Sequence, residues 1–230
     1  MPSDDDDKND VMKRISTKTG GGPGPGKDDD DDDDDVVFKL APFNPSSDQI
    51  QQKALGMLDL GKDDVLFDLG CGDGRLLCFA ATNTLGLRCV GIEIDELYVS
   101  RAQERVKQSK LESRIDIRLE DATKIANAST TTTTTTTNVE LDEEADNGKQ
   151  KTMMTDLTLL ADATALYLFI LPKGIVKMMP ILQSLKEKRV FEGKRFRVLS
   201  YMFKIHDWEP TLVDETAKGG CPVYYYDFGP

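Results

Sequence analysis

Two periods of apolar residues alternate along the middle of the chain. Residues 65–69 are apolar except for Asp68 and stop at Gly70, the pattern of a short strand buried on both faces. Residues 74–84 carry helical spacing, residues 88–94 are a second apolar strand, and residues 96–110 a second helix with Leu97, Ala102 and Val106 toward the sheet. Residues 115–120 alternate as a third strand. Strand–helix–strand–helix–strand predicts a mostly parallel sheet with right-handed crossovers and helices on both faces. Upstream, Ser47 or Asp48 caps a helix with an apolar stripe of Ile50, Ala54, Leu55, Met57 and Leu58, ended by Gly61. Downstream, residues 163–171 read as an intensely apolar strand stopped by Pro172. A helix over 175–188 follows, with Ile175, Met178, Met179, Leu182 and Leu185 inward and Pro180 as a kink or a late start. Residues 196–203 give a fifth strand, and residues 222–228 a last one, antiparallel at the far edge.

Two stretches lack this patterning. Residues 1–41 read as a disordered tail rich in Asp and Gly, and residues 42–230 as one domain interrupted by a low-complexity insertion at about 125–157 that holds eight consecutive Thr. The tail changes the meaning of the net charge of −12, since residues 1–35 hold 13 Asp against 5 Lys/Arg and leave 28 acids against 24 bases for the rest. The body therefore offers no basic field for a nucleic acid, and none is expected as a partner. The bases between Lys173 and Arg197 read as a solvated helix face. The Asp run reads as a solubilising tail, with docking of a basic partner as its alternative. Four cysteines without a Cys-x-x-Cys pair point to reduced thiols of a cytoplasmic protein and to no metal site. No apolar run has the length of a membrane span.

The chemistry concentrates where the first strand meets its helix. Gly70, Cys71, Gly72, Asp73 and Gly74 form a tight turn before a helix N-terminus, a cradle in which backbone N–H groups meet a ligand. A dinucleotide would bring a pyrophosphate between the carboxylates of Asp68 and Asp73, a poor match. S-adenosylmethionine carries no phosphate and brings an ammonium and a sulfonium. The loop is also Gly-x-Gly-x-Gly and not the dinucleotide pattern Gly-x-Gly-x-x-Gly. Glu93, at the end of the second strand with Ile94 beside it, lies roughly 20 residues on, where an acid accepts the two ribose hydroxyls. Asp121, at the end of the third strand, is placed to accept the adenine amino group; a capping acid is its plainer role.

Asp68-Leu-Gly-Cys-Gly-Asp-Gly74 followed by Gly91-Ile-Glu-Ile-Asp95 resembles the first two motifs of class I S-adenosylmethionine-dependent methyltransferases. Asn44-Pro-Ser-Ser-Asp-Gln-Ile50, Ala165-Leu-Tyr-Leu-Phe-Ile-Leu-Pro172, Arg197-Val-Leu-Ser200 and Asp207-Trp-Glu-Pro210 extend the resemblance. They are similar, in the same order, to the small enzymes that include the mitochondrial lysine methyltransferases of ATP synthase subunit c and the adenine nucleotide translocator, with their bacterial relatives. The resemblance implies a Rossmann-like fold, S-adenosylmethionine as cofactor and a protein substrate. It also implies a mitochondrial location as the alternative to the cytoplasm, although an acidic tail stands here in place of the apolar targeting segment of the mitochondrial members.

Methyltransferases of planar nitrogens have an Asn/Asp-Pro-Pro-aromatic motif after the fourth strand, where this chain has Ile170-Leu-Pro-Lys173. No side-chain amide or carboxylate stands there to polarise a planar NH₂. A lysine amine needs less help, because once deprotonated it is already a nucleophile that an apolar channel can desolvate and align. Tyr167, Phe169, Leu171, Pro172 and Trp208 are the candidate lining of that channel, with core packing as the alternative for each. No catalytic residue stands out. The single histidine, His206, reads as a surface residue at a strand end and not as a general base. Methylation of a protein lysine is the expected function; methylation of a small molecule or another nucleophile, and an inactive cofactor-binding scaffold, are the alternatives.

Overall fold

The computed structural model describes residues 39–125, 160, 162–217 and 220–229. The acidic run and the Thr-rich insertion lie outside the described residues; of the expected tail 1–41, residues 39–41 are described. The described elements run in the order α1 (Asp48–Leu58), β1 (Val65–Leu69), α2 (Arg75–Asn83), β2 (Arg88–Glu93), α3 (Glu96–Gln108), β3 (Ile115–Leu119), β4 (Ala165–Leu168), α4 (Pro172–Phe191), β5 (Phe196–Tyr201), β6 (Leu212–Asp214) and β7 (Val223–Phe228). The seven strands form one sheet in the order β3-β2-β1-β4-β5-β7-β6. The first five pair in parallel, and β7 runs antiparallel to both β5 and β6. This is the mostly parallel sheet with an antiparallel edge that the pattern of strands predicts, and the Rossmann-like fold that the resemblance implies.

Several local expectations change, each for a physical reason. Asp59, not Gly61, ends α1: it takes the left-handed conformation at φ 47° and its N–H closes on the Leu55 carbonyl at 3.0 Å. Leu97 is more than half exposed, because it lies two residues before the Val99, Ala102 and Val106 stripe that α3 buries. The apolar run 163–171 is a strand only over four residues; Phe169 and Ile170 leave the sheet toward its carboxyl edge, and Pro172 starts α4 instead of merely ending a strand. Pro180 sits inside that helix on its solvent side, one turn after exposed Val176, so the carbonyl it leaves without a donor faces water. The last strand, β7, is second from the edge. The three-residue β6 outside it is too short to leave a periodic signal.

Both faces of the sheet are covered. Helices α1, α2 and α3 bury Leu58, Leu77, Ala102 and Val106 against one face; α4 buries Ile175, Met178, Leu182 and Leu185 against the other, together with Trp208 and Tyr226. One row of paired residues crosses the first face: Ile117, Gly91, Asp68, Tyr167, Leu199 and Tyr225. Gly91 is needed in that row, since a Cβ there would come within 2.8 Å of the Cys71, Leu77 and Ile117 side chains.

The amino ends of three strands are tied by one buried cation. Arg197, on β5, is 3% exposed and donates from Nη1 to the carbonyls of Leu58 and Asp59 at 2.6 and 2.7 Å. Its Nη2 pairs with Asp64, whose carboxylate also accepts the Gly61 N–H at 2.7 Å and the Thr164 hydroxyl at 2.6 Å. Arg197 and Arg189 are both buried, so the bases between 173 and 197 are not all a solvated face. Burial alone would raise the Asp64 carboxyl, but hydrogen bonds from Gly61, Thr164 and Arg197 outweigh it and hold the group below its ordinary value. A carboxyl lowered on folding stabilises the fold above the ordinary carboxylate range, and this contribution is lost as pH falls through the folded value. Arg197→Met leaves Asp64 and the end of α1 unpaired and should cost about 2–4 kcal/mol in urea unfolding at pH 7. At pH 3 the difference from the natural chain should shrink. An equal loss at both pH values would mean that the ion pair contributes nothing.

Candidate functional site

The carboxyl ends of β1, β2, β3 and β4 open into a cavity of about 300 Å³. Its floor is the turn after β1. Gly72 has φ 54°, and a Cβ there would press on the Phe43 ring at 2.8 Å, so the turn accepts only glycine at its closest point to the roof. Asp68, Gly70, Cys71, Gly72, Asp73, Glu93, Ile94 and Asp121 all line the cavity. Gly74 does not; it sits behind the turn as the residue before α2.

The carboxyl groups at this floor differ in their surroundings. Asp68 is 4% exposed, and no hydrogen bond from a described residue supports it. Burial, and then the charges of Glu93 and Asp73, push its carboxyl up to about 8. Asp73 is tied to two guanidinium groups, Arg75 at 2.7 Å and Arg105 at 2.8 Å. Burial works against its charge, yet the Arg75 hydrogen bonds and both arginine charges hold it below its ordinary value. Asp73 thus fastens α2 to α3 and has little free charge with which to repel a phosphate, contrary to the sequence argument. Glu93 braces the turn: one oxygen accepts the Gly72 N–H at 2.8 Å, the other the N–H groups of Ile94 at 2.8 Å and Asp95 at 3.0 Å. Three of roughly four acceptor positions on this carboxylate are taken, which leaves room for one ligand hydroxyl while the turn stays braced. Asp121 accepts from the backbone N–H of Thr123 at 2.9 Å and from its hydroxyl at 2.6 Å, so it caps the following turn while lining the cavity. The Cys71 thiol is pushed up by burial and by the charges of Asp68 and Glu93, which disfavours its thiolate.

Sequence reasoning missed the roof. Lys39–Ser46 cross the mouth as a strap fixed at several points. Lys39 pairs with Asp95 at 2.9 Å, the Leu171 N–H donates to the Leu40 carbonyl at 3.2 Å, Phe43 stacks on Tyr98 at 4.1 Å, and the Ser46 and Tyr167 hydroxyls meet at 2.6 Å. The strap brings Asn44 to the cavity lining, so a residue that carries an amide is present after all, from before α1 and not from after β4. The strap has no periodicity of its own; its only mark is a polar and Pro-rich lead into the cap of α1.

Of the expected channel residues, Tyr167 and Phe169 line the cavity, with Ile170 beside them. Leu171 and Pro172 lie outside it, at the start of α4. Trp208 is remote, on the other face of the sheet. It is 3% exposed, stands edge-on to Tyr226 and Phe228, and donates to the Gln183 side chain at 3.2 Å. Its place is the α4 core and not a channel. His206 is exposed in a turn away from the cavity. Among the described residues no group of three or more His, Cys, Asp or Glu side chains could hold a metal, and no helix is long and apolar enough to cross a membrane.

The arrangement suits a ligand with a cation for the unsupported Asp68 carboxyl and a hydroxyl for Glu93. Residues 66–157 match a methyltransferase domain family. A protein-lysine N-methyltransferase of Saccharolobus islandicus is 24% identical over 190 residues, which are 82% of this chain and 94% of that protein. The crystal structure of an RNA methyltransferase from Salinibacter ruber in complex with S-adenosyl-L-homocysteine is 26% identical, with a TM-score of 0.57 over 81% of this chain and 94% of that one. Together the domain match, the relative and the neighbour support a class I S-adenosylmethionine-dependent methyltransferase.

Proposed function

We propose that the enzyme methylates the side-chain amine of a lysine in a protein. The observation that carries this reading is the charge of the cavity wall. Asp68, Asp73, Glu93, Asp95, Glu120 and Asp121 line it, against Lys39 and Arg75 alone; with Asp73 held by Arg75 and Arg105, Asp95 by Lys39, and Asp68 protonated in the free protein, the wall still keeps a net negative charge. An acidic mouth attracts a cationic side chain and repels a polyanion. The Saccharolobus relative, which covers most of both chains, supports the same substrate class. An RNA base is the second reading, favoured by the Salinibacter neighbour and by Asn44 in the cavity lining. The phosphates that would accompany the base weigh against it.

In this reading Glu93 would hold a ribose hydroxyl of the cofactor, Asp121 its adenine amino group and Asp68 its ammonium. Bound S-adenosylmethionine supplies an electrophilic methyl on a sulfonium. The protein contributes position and dryness: the turn holds the cofactor, Phe43 and Tyr98 close the roof, and Tyr167, Phe169 and Ile170 wall off the acceptor side. No side chain has to act as a general base on an amine that arrives neutral.

Asp68 ties stability to binding in opposite senses. Its folded carboxyl is raised, so the free protein keeps a proton that the unfolded chain releases at roughly pH 4. The contribution of this group is full below that value and is lost as pH rises through about 8. Asp68→Asn should therefore raise the melting temperature of the free protein at pH 8.5 and change it little at pH 5, while weakening S-adenosylhomocysteine at both. Calorimetry at pH 7 in buffers of different ionisation enthalpy should detect release of about one proton on binding, absent in the variant. Stabilisation by NAD and not by S-adenosylhomocysteine would overturn the pose. Glu93→Ala removes a ligand bond and the brace of Gly72 together, so cofactor affinity should fall at least roughly tenfold; unchanged affinity would leave Glu93 a structural role only.

The substrate class is tested with cofactor labelled in its methyl group and a cell extract. Label should enter material that protease destroys and nuclease does not, and acid hydrolysis should recover it as methyl-lysine. Label that nuclease removes would establish the second reading in place of the first.

A further inference from the structure

The Ser46–Tyr167 pair is the polar feature of the acceptor side of the cavity. Both residues are buried, at 7% and 2% exposure, and both line the cavity. Their oxygens lie 2.6 Å apart, and either can be the donor. One hydroxyl hydrogen serves the contact, which leaves lone pairs on both oxygens and one further hydroxyl hydrogen. Neither oxygen can wander. Tyr167 is fixed in β4 by pairing with β1 and β5, and Ser46 by the cap of α1 behind it and by Gln51, whose amide donates to its carbonyl at 2.9 Å. Phe169 and Ile170 adjoin the pair, so it is a spot of acceptors at the end of an apolar wall. Tyr167 stands directly opposite Asp68 on the same face of the sheet, one strand spacing of about 4.8 Å away. The two oxygens therefore share the cavity with Asp68, next to the residue that would hold the amino-acid end of the cofactor.

We propose that the Ser46 and Tyr167 hydroxyls position the incoming substrate amine, accepting its N–H groups so that the nitrogen lone pair faces the cofactor's methyl carbon. The proposal rests on the reading above that the acceptor is an amine. In the step itself the amine lone pair forms the N–C bond, the C–S bond breaks, and its electron pair stays on sulfur. The products are a methylated ammonium and the neutral thioether, and the ammonium then gives one proton to water. The hydroxyls keep their own hydrogens throughout and act by orientation. A nitrogen with its N–H groups so held cannot turn its lone pair away, and the amine's desolvation is offset where the wall is otherwise apolar.

The position can be probed without knowing the substrate. Sinefungin carries an amine-bearing carbon where the cofactor has its methylated sulfur, so its nitrogen enters the space next to the acceptors; S-adenosylhomocysteine has no group there. The natural chain should bind sinefungin the more tightly, by roughly tenfold, the value of one charge-assisted hydrogen bond. Ser46→Ala and Tyr167→Phe should each bring that ratio toward one while the dissociation constant of S-adenosylhomocysteine changes less than about twofold. Ser46→Thr, which keeps a hydroxyl, should retain the preference. A ratio unchanged in both variants overturns the proposal. So does an equal weakening of both ligands, which would make the pair a tie between strap and sheet. A lost preference in variants of an enzyme that labels RNA and not protein would uphold the positioning role and overturn the lysine reading.

Discussion

A carboxyl group at the end of a fully enclosed strand has to be accommodated, and much of the site follows from how that is done. Strand β1 is buried along its whole length, with Asp68 as its one polar residue. In the free protein the carboxyl answers burial by holding its proton, which costs less than a buried unpaired charge. Asp73, five residues on, answers the same burial with two arginines, and Glu93 with three backbone N–H groups. Three acids around one turn thus have three separate roles: a charge kept in reserve, a bolt between helices, and a brace for the glycines. Only the reserve is free to discriminate ligands by charge.

The sheet was legible because β1, β2 and β4 leave dense apolar marks, β3 an alternating one, and the crossover helices their stripes. That local consistency also made the turn after β1 and the acid after β2 readable as a cofactor site. Boundaries were less legible. Phe169 to Leu171 are as apolar as the strand before them, yet they bend out because Pro172 is pre-set to start a helix and because the carboxyl edge of the sheet is where the chain turns into the site. Trp208 looked like a channel residue because it follows β5 in sequence, but an indole N–H satisfied by Gln183 and a ring set edge-on against Tyr226 and Phe228 commit it to the α4 face. The strap was not legible at all. What fixes Asn44 and Ser46 at the cavity is contact with residues as remote in sequence as Tyr167, and no local pattern encodes that.

The strap is also what separates this site from an open groove at the edge of a sheet. The Phe43–Tyr98 stack and the Lys39–Asp95 pair are each modest. Lys39 is well exposed, and its ion pair adds little. Their effect is cumulative: they hold a roof close enough that the turn beneath must be glycine at position 72. The demand on that residue therefore comes from two directions, its positive φ and the ring above it.

Closure of this kind raises the weight of every charge inside. With water largely displaced by the ligand, the net negative charge of the wall acts through a lower dielectric than it does in the open cavity. A sulfonium cofactor gains from that field while it is bound, and it loses the gain when its methyl leaves and the sulfur becomes neutral. The same field would favour the ammonium form of a lysine over the amine that reacts. An acidic cavity can therefore recruit its substrate and hold back its chemistry at once. Acceptors that are strong but uncharged, two hydroxyls in place of another carboxylate, resolve the conflict at the point of transfer: they orient N–H groups without favouring the charged form as a carboxylate would.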